Sequence, residues 1–128
     1  MTAFSNYLEN ALLNATLRNV AYTSAATVYV GLHTTATGDD NSGTEVSGSG
    51  YARTAAAFSA PASGSTSNSA TVTFPTATGS WGTVTHFGIY DAVSGGNLLY
   101  WGALTTSKTV DNGDVFTFPA SNLTVTLD

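Results

Sequence analysis

Apolar side chains at the start of the chain recur at three- and four-residue spacing. Within FSNYLENALLNATLR they are Phe4, Leu8, Ala11, Leu12 and Ala15, with Asn6, Glu9, Asn10 and Asn14 elsewhere. That is the period of one helix face, and it predicts one amphipathic helix over 1–18 with a narrow apolar stripe. Thr2 and Ser5 are the candidate N-caps. After Asn19 the period changes to two. In TVYVGLHT (27–34), Val28, Val30 and Leu32 share one face, and Tyr29, Gly31 and His33 the other. YARTAAAFSA (51–60), SATVTFP (69–75), THFGIYD (85–91), NLLYWGAL (97–104), VFTFP (115–119) and SNLTVTL (121–127) read as further strands.

Turn chemistry separates these runs. AVSGG, between THFGIYD and NLLYWGAL, carries a Gly-Gly hairpin signal, and DNGD (111–114) reads as a second tight turn. PASGSTSN (61–68) reads as a loop. Residues 35–50, TATGDDNSGTEVSGSG, are almost wholly small and polar, the pattern of a long, mobile loop. Six or seven short strands with such turns predict a mainly β fold, an antiparallel β-sandwich or small barrel with one N-terminal amphipathic helix. A length of 128 residues fits a single β-rich domain over 1–128. No internal repeat or heptad pattern stands out, and fibre shafts are commonly built on one or the other.

Composition changes the picture in one respect. Only 9% of residues are charged, against about 25% in a typical soluble domain. Ser, Thr, Gly and Asn stand where Lys and Glu would normally sit. Little charge repulsion keeps copies of such a surface apart. It suits a chain inside a larger assembly or outside a cell, and half of the bias is what any hydroxyl-rich β domain would show. The net charge is −5, and only Arg18, Arg53 and Lys108 are positive. Three scattered cations make no basic stripe, so neither nucleic acid nor an anionic membrane surface is an expected partner. The absence of cysteine removes disulfides, thiolate zinc sites and cysteine nucleophiles. No signal peptide and no membrane span is read from the sequence.

The candidates for chemistry are few. The face Val84, His86, Gly88, Tyr90 of one strand mirrors Tyr29, Gly31, His33 of another. Antiparallel neighbours would therefore set His33 opposite His86, with the two glycines facing. Zinc needs a third ligand, and Asp91, the nearest, falls on the other face. The favoured reading is two half-buried histidines hydrogen-bonded to backbone, with glycines marking close packing on an aromatic ring. GSG (48–50) does not make a G-x-S-x-G elbow, because Val46 precedes it and no strand–turn–helix surrounds it. The eight acidic residues lie mostly in turns rather than facing one cleft. Asp39, Asn41 and Glu45 alternate as in a calcium loop but lack its order, so a solvated acidic loop is the default. Asn14-Ala-Thr and Asn122-Leu-Thr read as chance matches to the glycosylation pattern. Tyr51 and Trp81 are the candidate exposed aromatic contacts, suited to stacking on sugar rings. No catalytic, cofactor or metal-binding residue is assigned, and no cofactor is expected.

Three stretches carry a resemblance. GTEVSGSGYAR (43–53) with the preceding GLHT, the long run TFPTATGSWGTVTHFGIYDAVSGGNLLYWGALTTSKTVDNGDVFTF (73–118), and the opening SNYLENALLNATLR resemble a family of small virion proteins of tailed bacteriophages, often labelled tail-fibre-like. The resemblance spans nearly the whole chain. It implies a β-rich, non-enzymatic structural protein of the phage particle, made in the host cytoplasm without a signal peptide. Its partners would be other virion proteins, the major capsid protein or tail proteins, together with further copies of itself. A compact chain without heptads or repeats is a poor fibre shaft. The leading expectation is therefore a homo-oligomeric head decoration (cement) protein. A tail, baseplate or tail-fibre component is the alternative, and a carbohydrate-binding module for host-surface glycans is the alternative of another class. Phe4, Leu8 and Leu12 are the candidate assembly contacts; in the competing reading the same stripe covers one open end of the sandwich.

Overall fold

The structure, a computed structural model, describes residues 2–127. Met1 and Asp128, the outermost residues of the expected domain, lie outside them. A short strand β1 (Thr2–Phe4) leads into the helix α1 (Asn6–Leu17). Eight more strands follow: β2 (Val28–His33), β3 (Thr54–Ala56), β4 (Ser65–Ser67), β5 (Val72–Thr73), β6 (Gly82–Tyr90), β7 (Leu98–Val110), β8 (Thr117–Phe118) and β9 (Thr124–Thr126). Five strands form one antiparallel sheet in the order β1-β7-β6-β2-β3. β4 pairs with β9, and β5 with β8, in two small sheets. The result is mainly β and sandwich-like, with one helix and no closed barrel among the described residues.

Alternation explains the main core. Val30 and Leu32 of β2, with Phe87 and Ile89 of β6, turn one face of the large sheet toward Val72, Phe118 and Val125 of the small sheets. Phe74 is buried among them, edge-to-face with Phe116 at 5.7 Å and with Phe118 at 6.3 Å. Burying one such ring stabilises the fold by about 2–3 kcal/mol. Asn68 closes the far side. Its Nδ2 donates to the carbonyls of Ala70, Phe118 and Pro119, and its Oδ1 accepts from Leu123 N at 2.9 Å.

The opposite face of the large sheet is covered as well. The mirrored strands are neighbours, and the register sets Gly31 opposite Gly88 and His33 opposite His86. α1 packs on β7 through Leu8. Ser5 caps it, accepting from Leu8 N at 3.1 Å while its hydroxyl donates to Leu98 O. This cap corrects the expected helix boundary: the chain before Ser5 is extended and joins β7 as an edge strand, Phe4 opposite Tyr100.

Three further elements differ from the sequence reading. The run 51–60 forms a strand only at Thr54–Ala56, and the expected loop 61–68 contributes β4. The polar stretch 35–50 folds back on β2 instead of hanging free. Thr34 N donates to Thr44 O at 3.0 Å, and Val46 N to Leu32 O at 2.9 Å. β7 runs past the predicted residue 104. Val84 pairs with Lys108 but His86 pairs with Ala103, so residues 104–107 arch out of the ladder, and Thr105, Thr106 and Ser107 are exposed.

Candidate functional site

The densest polar chemistry lies where residues 34–53 cross the outer face of β2 and β6. Antiparallel pairing brings Gly31, His33, Gly88 and Tyr90 onto that face. The fold-back adds Asn41 and Glu45, and the approach to β3 adds Tyr51 and Arg53. Glu45 and Arg53 form a two-pronged ion pair: Arg53 Nε donates to Oε2 and Nη2 to Oε1, both at 2.9 Å. Tyr51 donates its hydroxyl to Glu45 Oε2 at 2.6 Å and accepts from Leu32 N at 3.0 Å. Arg53 Nη1 reaches the carbonyls of Ala92 at 3.0 Å and Gly95 at 2.8 Å, tying the β6–β7 turn to the same cluster. The guanidinium carbon lies 3.5 Å from the centre of the Tyr90 ring.

Tyr90 is the hub. Its hydroxyl donates to Asn41 Oδ1 at 2.9 Å and lies 2.8 Å from His33 Nε2. Since that hydroxyl gives its proton to Asn41, the imidazole is the donor of the second bond. The His33 proton therefore sits on Nε2, and the buried Nδ1 has no partner. The two glycines make room for the Tyr90 ring. A Cβ on Gly31 would lie 3.1 Å from Tyr90 Cε1 and 2.9 Å from Glu45 Oε2. On Gly88 it would lie 2.9 Å from Tyr90 Cε1, 2.8 Å from Leu98 Cδ1 and 3.1 Å from His33 Cε1.

This environment sets the charges. Burial, reinforced by Arg53 and His86 and opposed by Glu45, pulls the His33 imidazole down to about 4. Burial and the Glu45 charge push the Tyr90 hydroxyl up to about 12. Burial and the bond to Glu45 raise Tyr51 as well. Burial alone would raise the Glu45 carboxyl, but hydrogen bonds from Arg53 and Tyr51, with the Arg53 charge, hold it below the usual carboxylate range. At neutral pH the cluster holds one cation, one anion and a neutral imidazole. Chemically it is a fastener: Glu45, Arg53, Tyr51, Tyr90 and the Asn41 side-chain oxygen each bond another part of the chain.

Of the residues singled out from sequence, His33, Asn41, Glu45 and Tyr51 meet in this cluster and the others fall elsewhere. Trp81 is buried, 4% exposed, with Nε1 donating to Ser49 O at 2.9 Å and its ring edge-on to Tyr51 at 5.4 Å. Tyr51 is half-buried against the core. The expected sugar platform is corrected accordingly, since both rings turn into the sandwich. Phe4 meets Tyr100 edge-to-face at 5.5 Å, Leu8 is buried and Leu12 half-buried. The expected assembly stripe is therefore turned toward the protein itself, while Tyr7, Leu13 and Leu17 are the exposed apolar residues of α1. The three alternating ligands of the calcium-like run diverge: Asp39 accepts from Trp101 Nε1, Asn41 from Tyr90, and Glu45 from Arg53. Of the two histidines, His86 is half-buried as expected, with Nδ1 2.8 Å from Thr85 Oγ1. His33 is fully buried and bonds a tyrosine hydroxyl instead of backbone. The Glu45–Arg53 pair was missed, although a lone arginine beside an apolar run in a cation-poor chain signals a need for a nearby carboxylate.

Fold and site together define a β-rich structural module whose polar cluster fastens a long loop to a sheet. Residues 3–126 match the family model described as podophage GP4 fiber I protein gp80. The chain belongs to this family of phage fibre proteins, and its role is accordingly structural, within the virion. No curated protein matches the chain. No helix among the described residues is long and apolar enough to cross a membrane.

Proposed function

We propose that the chain is a non-enzymatic component of a podophage tail fibre, a compact module mounted on or between longer elements. The family match over residues 3–126 carries this reading. Its description names a fibre, which favours the tail alternative over the head decoration role expected from compactness alone. The internal chemistry supports a structural role: Glu45, Arg53, Tyr51, Tyr90 and Asn41 all bond partners within the fold. Attachment to other virion proteins, or to further copies, then runs through exposed surface such as Leu13 and Leu17 of α1.

Immunogold labelling of intact particles with an antibody to this chain tests the assignment. Label confined to the tail is expected. Label spread over the shell would restore the decoration reading, and a glycan array showing sugar binding by the isolated protein would favour the third class.

A further inference from the structure

We infer that residues 34–46 are held to the sheet by an acid-sensitive latch of His33, Tyr90 and Asn41, and that this loop comes free when His33 takes up a proton. The latch is a relay through one phenol. Tyr90 accepts from His33 Nε2 on β2 and donates to Asn41 in the loop. Asp39, Glu45 and the Val46 amide make the remaining ties, to Trp101 and Asn6, to Arg53 and Tyr51, and to Leu32.

A proton added to His33 arrives at Nδ1, a fully buried atom with no acceptor in reach. The new cation would share its surroundings with Arg53, which lies over the same Tyr90 ring, and with His86, opposite in register. Glu45 is the countercharge on the loop side, but its two oxygens already receive Arg53 twice and Tyr51 once. Among the other loop carboxylates, Asp39 bonds Trp101 and Asp40 bonds Ser42 N. α1 and β7 turn Glu9, Arg18 and Lys108 to solvent. An unpaired buried cation is costly, and the accessible relief is to open the loop and hydrate the ring.

The sign follows from the two states. With the loop closed, burial first, and then Arg53 and His86, hold His33 at about 4 against the pull of Glu45; in the open state it returns to its ordinary 6.5. The open form therefore binds the proton better. The latch is intact above pH 6.5 and weakens as pH falls toward about 4. Between about pH 7.5 and about pH 5 the open-to-closed ratio rises by about thirtyfold.

Hydrogen exchange on the whole chain tests this, with rates corrected for the intrinsic effect of pH. Protection in peptides covering 34–46 is expected to fall by about thirtyfold between those two conditions, while β2 and β6 stay protected. His33→Gln, whose amide still donates to Tyr90 but does not titrate, should remove the fall; His86→Gln should keep it. Unchanged loop protection in the wild type, or the same fall in His33→Gln, would overturn the inference. Should that variant fail to fold, the wild-type imidazole signals followed by NMR decide the matter. His33 titrating near 4 together with the loss of loop protection supports the latch, and His33 titrating near 6.5 under a protected loop refutes it.

Discussion

Gly88→Ala isolates the packing on which the site depends. In an ordinary strand this change would stabilise by about 0.5–1 kcal/mol, because glycine loses the most backbone freedom on folding. Here the new methyl would press on Leu98 Cδ1 at 2.8 Å, Tyr90 Cε1 at 2.9 Å and His33 Cε1 at 3.1 Å, three neighbours at once. Leu98 is the far end of a flexible side chain and can yield. Tyr90 cannot, because its hydroxyl is tied to Asn41 and His33 and its ring lies under Arg53. Overpacking of this kind costs about 1–3 kcal/mol, so after the backbone gain is subtracted a net loss of about 1 kcal/mol is expected. Urea unfolding followed by fluorescence measures it as a shift in midpoint at constant slope. Leu98→Ala makes room, so in a double-mutant cycle Gly88→Ala should cost about 1 kcal/mol less in that background. Gly48→Ala is the control: nothing lies within 4 Å of its added Cβ, but its φ of +73° makes the cost, about 1 kcal/mol, a backbone one. A Gly88→Ala protein as stable as wild type, or more so, would show that the glycine pair does not make the slot for Tyr90.

Other substitutions probe the remaining polar contacts. Arg53→Met leaves the half-buried Glu45 carboxylate without its cation and frees the β6–β7 turn; a loss of about 3 kcal/mol is expected, with Arg53→Lys recovering only part of it, read from the same urea curves. Asn68→Ala orphans the buried Leu123 amide and removes three donated bonds, which should cost about 3 kcal/mol and lower the thermal midpoint; a shift within error would mean these groups find other partners. His86→Gln changes a half-buried side chain with one bond, so stability should move by about 1 kcal/mol and assembly should persist, which unfolding curves and virion incorporation check together. Elemental analysis showing a bound metal, or complete loss of folding in that variant, would contradict the modest role given to His86.

Period-two alternation made the core strands legible, and the mirrored Tyr-Gly-His faces made even the β2–β6 register legible, because side-chain identity at spacing two constrains which residues can oppose one another. The short strands were less visible. Ser65–Ser67 has only Thr66 as a branched residue and no bulk to mark it, and its ladder with β9 is set where Asn68 fixes the chain beside Leu123. Phe4 was misplaced because spacing alone cannot choose between Thr2 and Ser5 as the cap; Ser5 starts the helix and gives the preceding residues to an edge strand. Trp81 followed the loop TATGS and so looked exposed, but its indole found the Ser49 carbonyl across a gap of 32 residues. The buried cluster was hidden for the same reason. Glu45, Arg53 and Tyr90 come from three segments that only the fold-back of 34–46 brings together, and no local pattern encodes that meeting.

The arch at residues 104–107 bears on how such a module behaves when many copies are crowded on one particle. An uninterrupted strand of 13 residues whose outer side meets β1 only at Tyr100, Trp101 and Gly102 would offer neighbours a generic template for strand addition. The arch interrupts that template after Gly102, so the backbone open to an arriving strand is divided into short runs. Along this edge, contact with a neighbour would fall to side chains, which discriminate among partners, instead of to a backbone ladder, which does not. In a chain with so few charges to keep copies apart, this irregularity works in the same direction as electrostatic repulsion, by disfavouring indiscriminate edge pairing along β7.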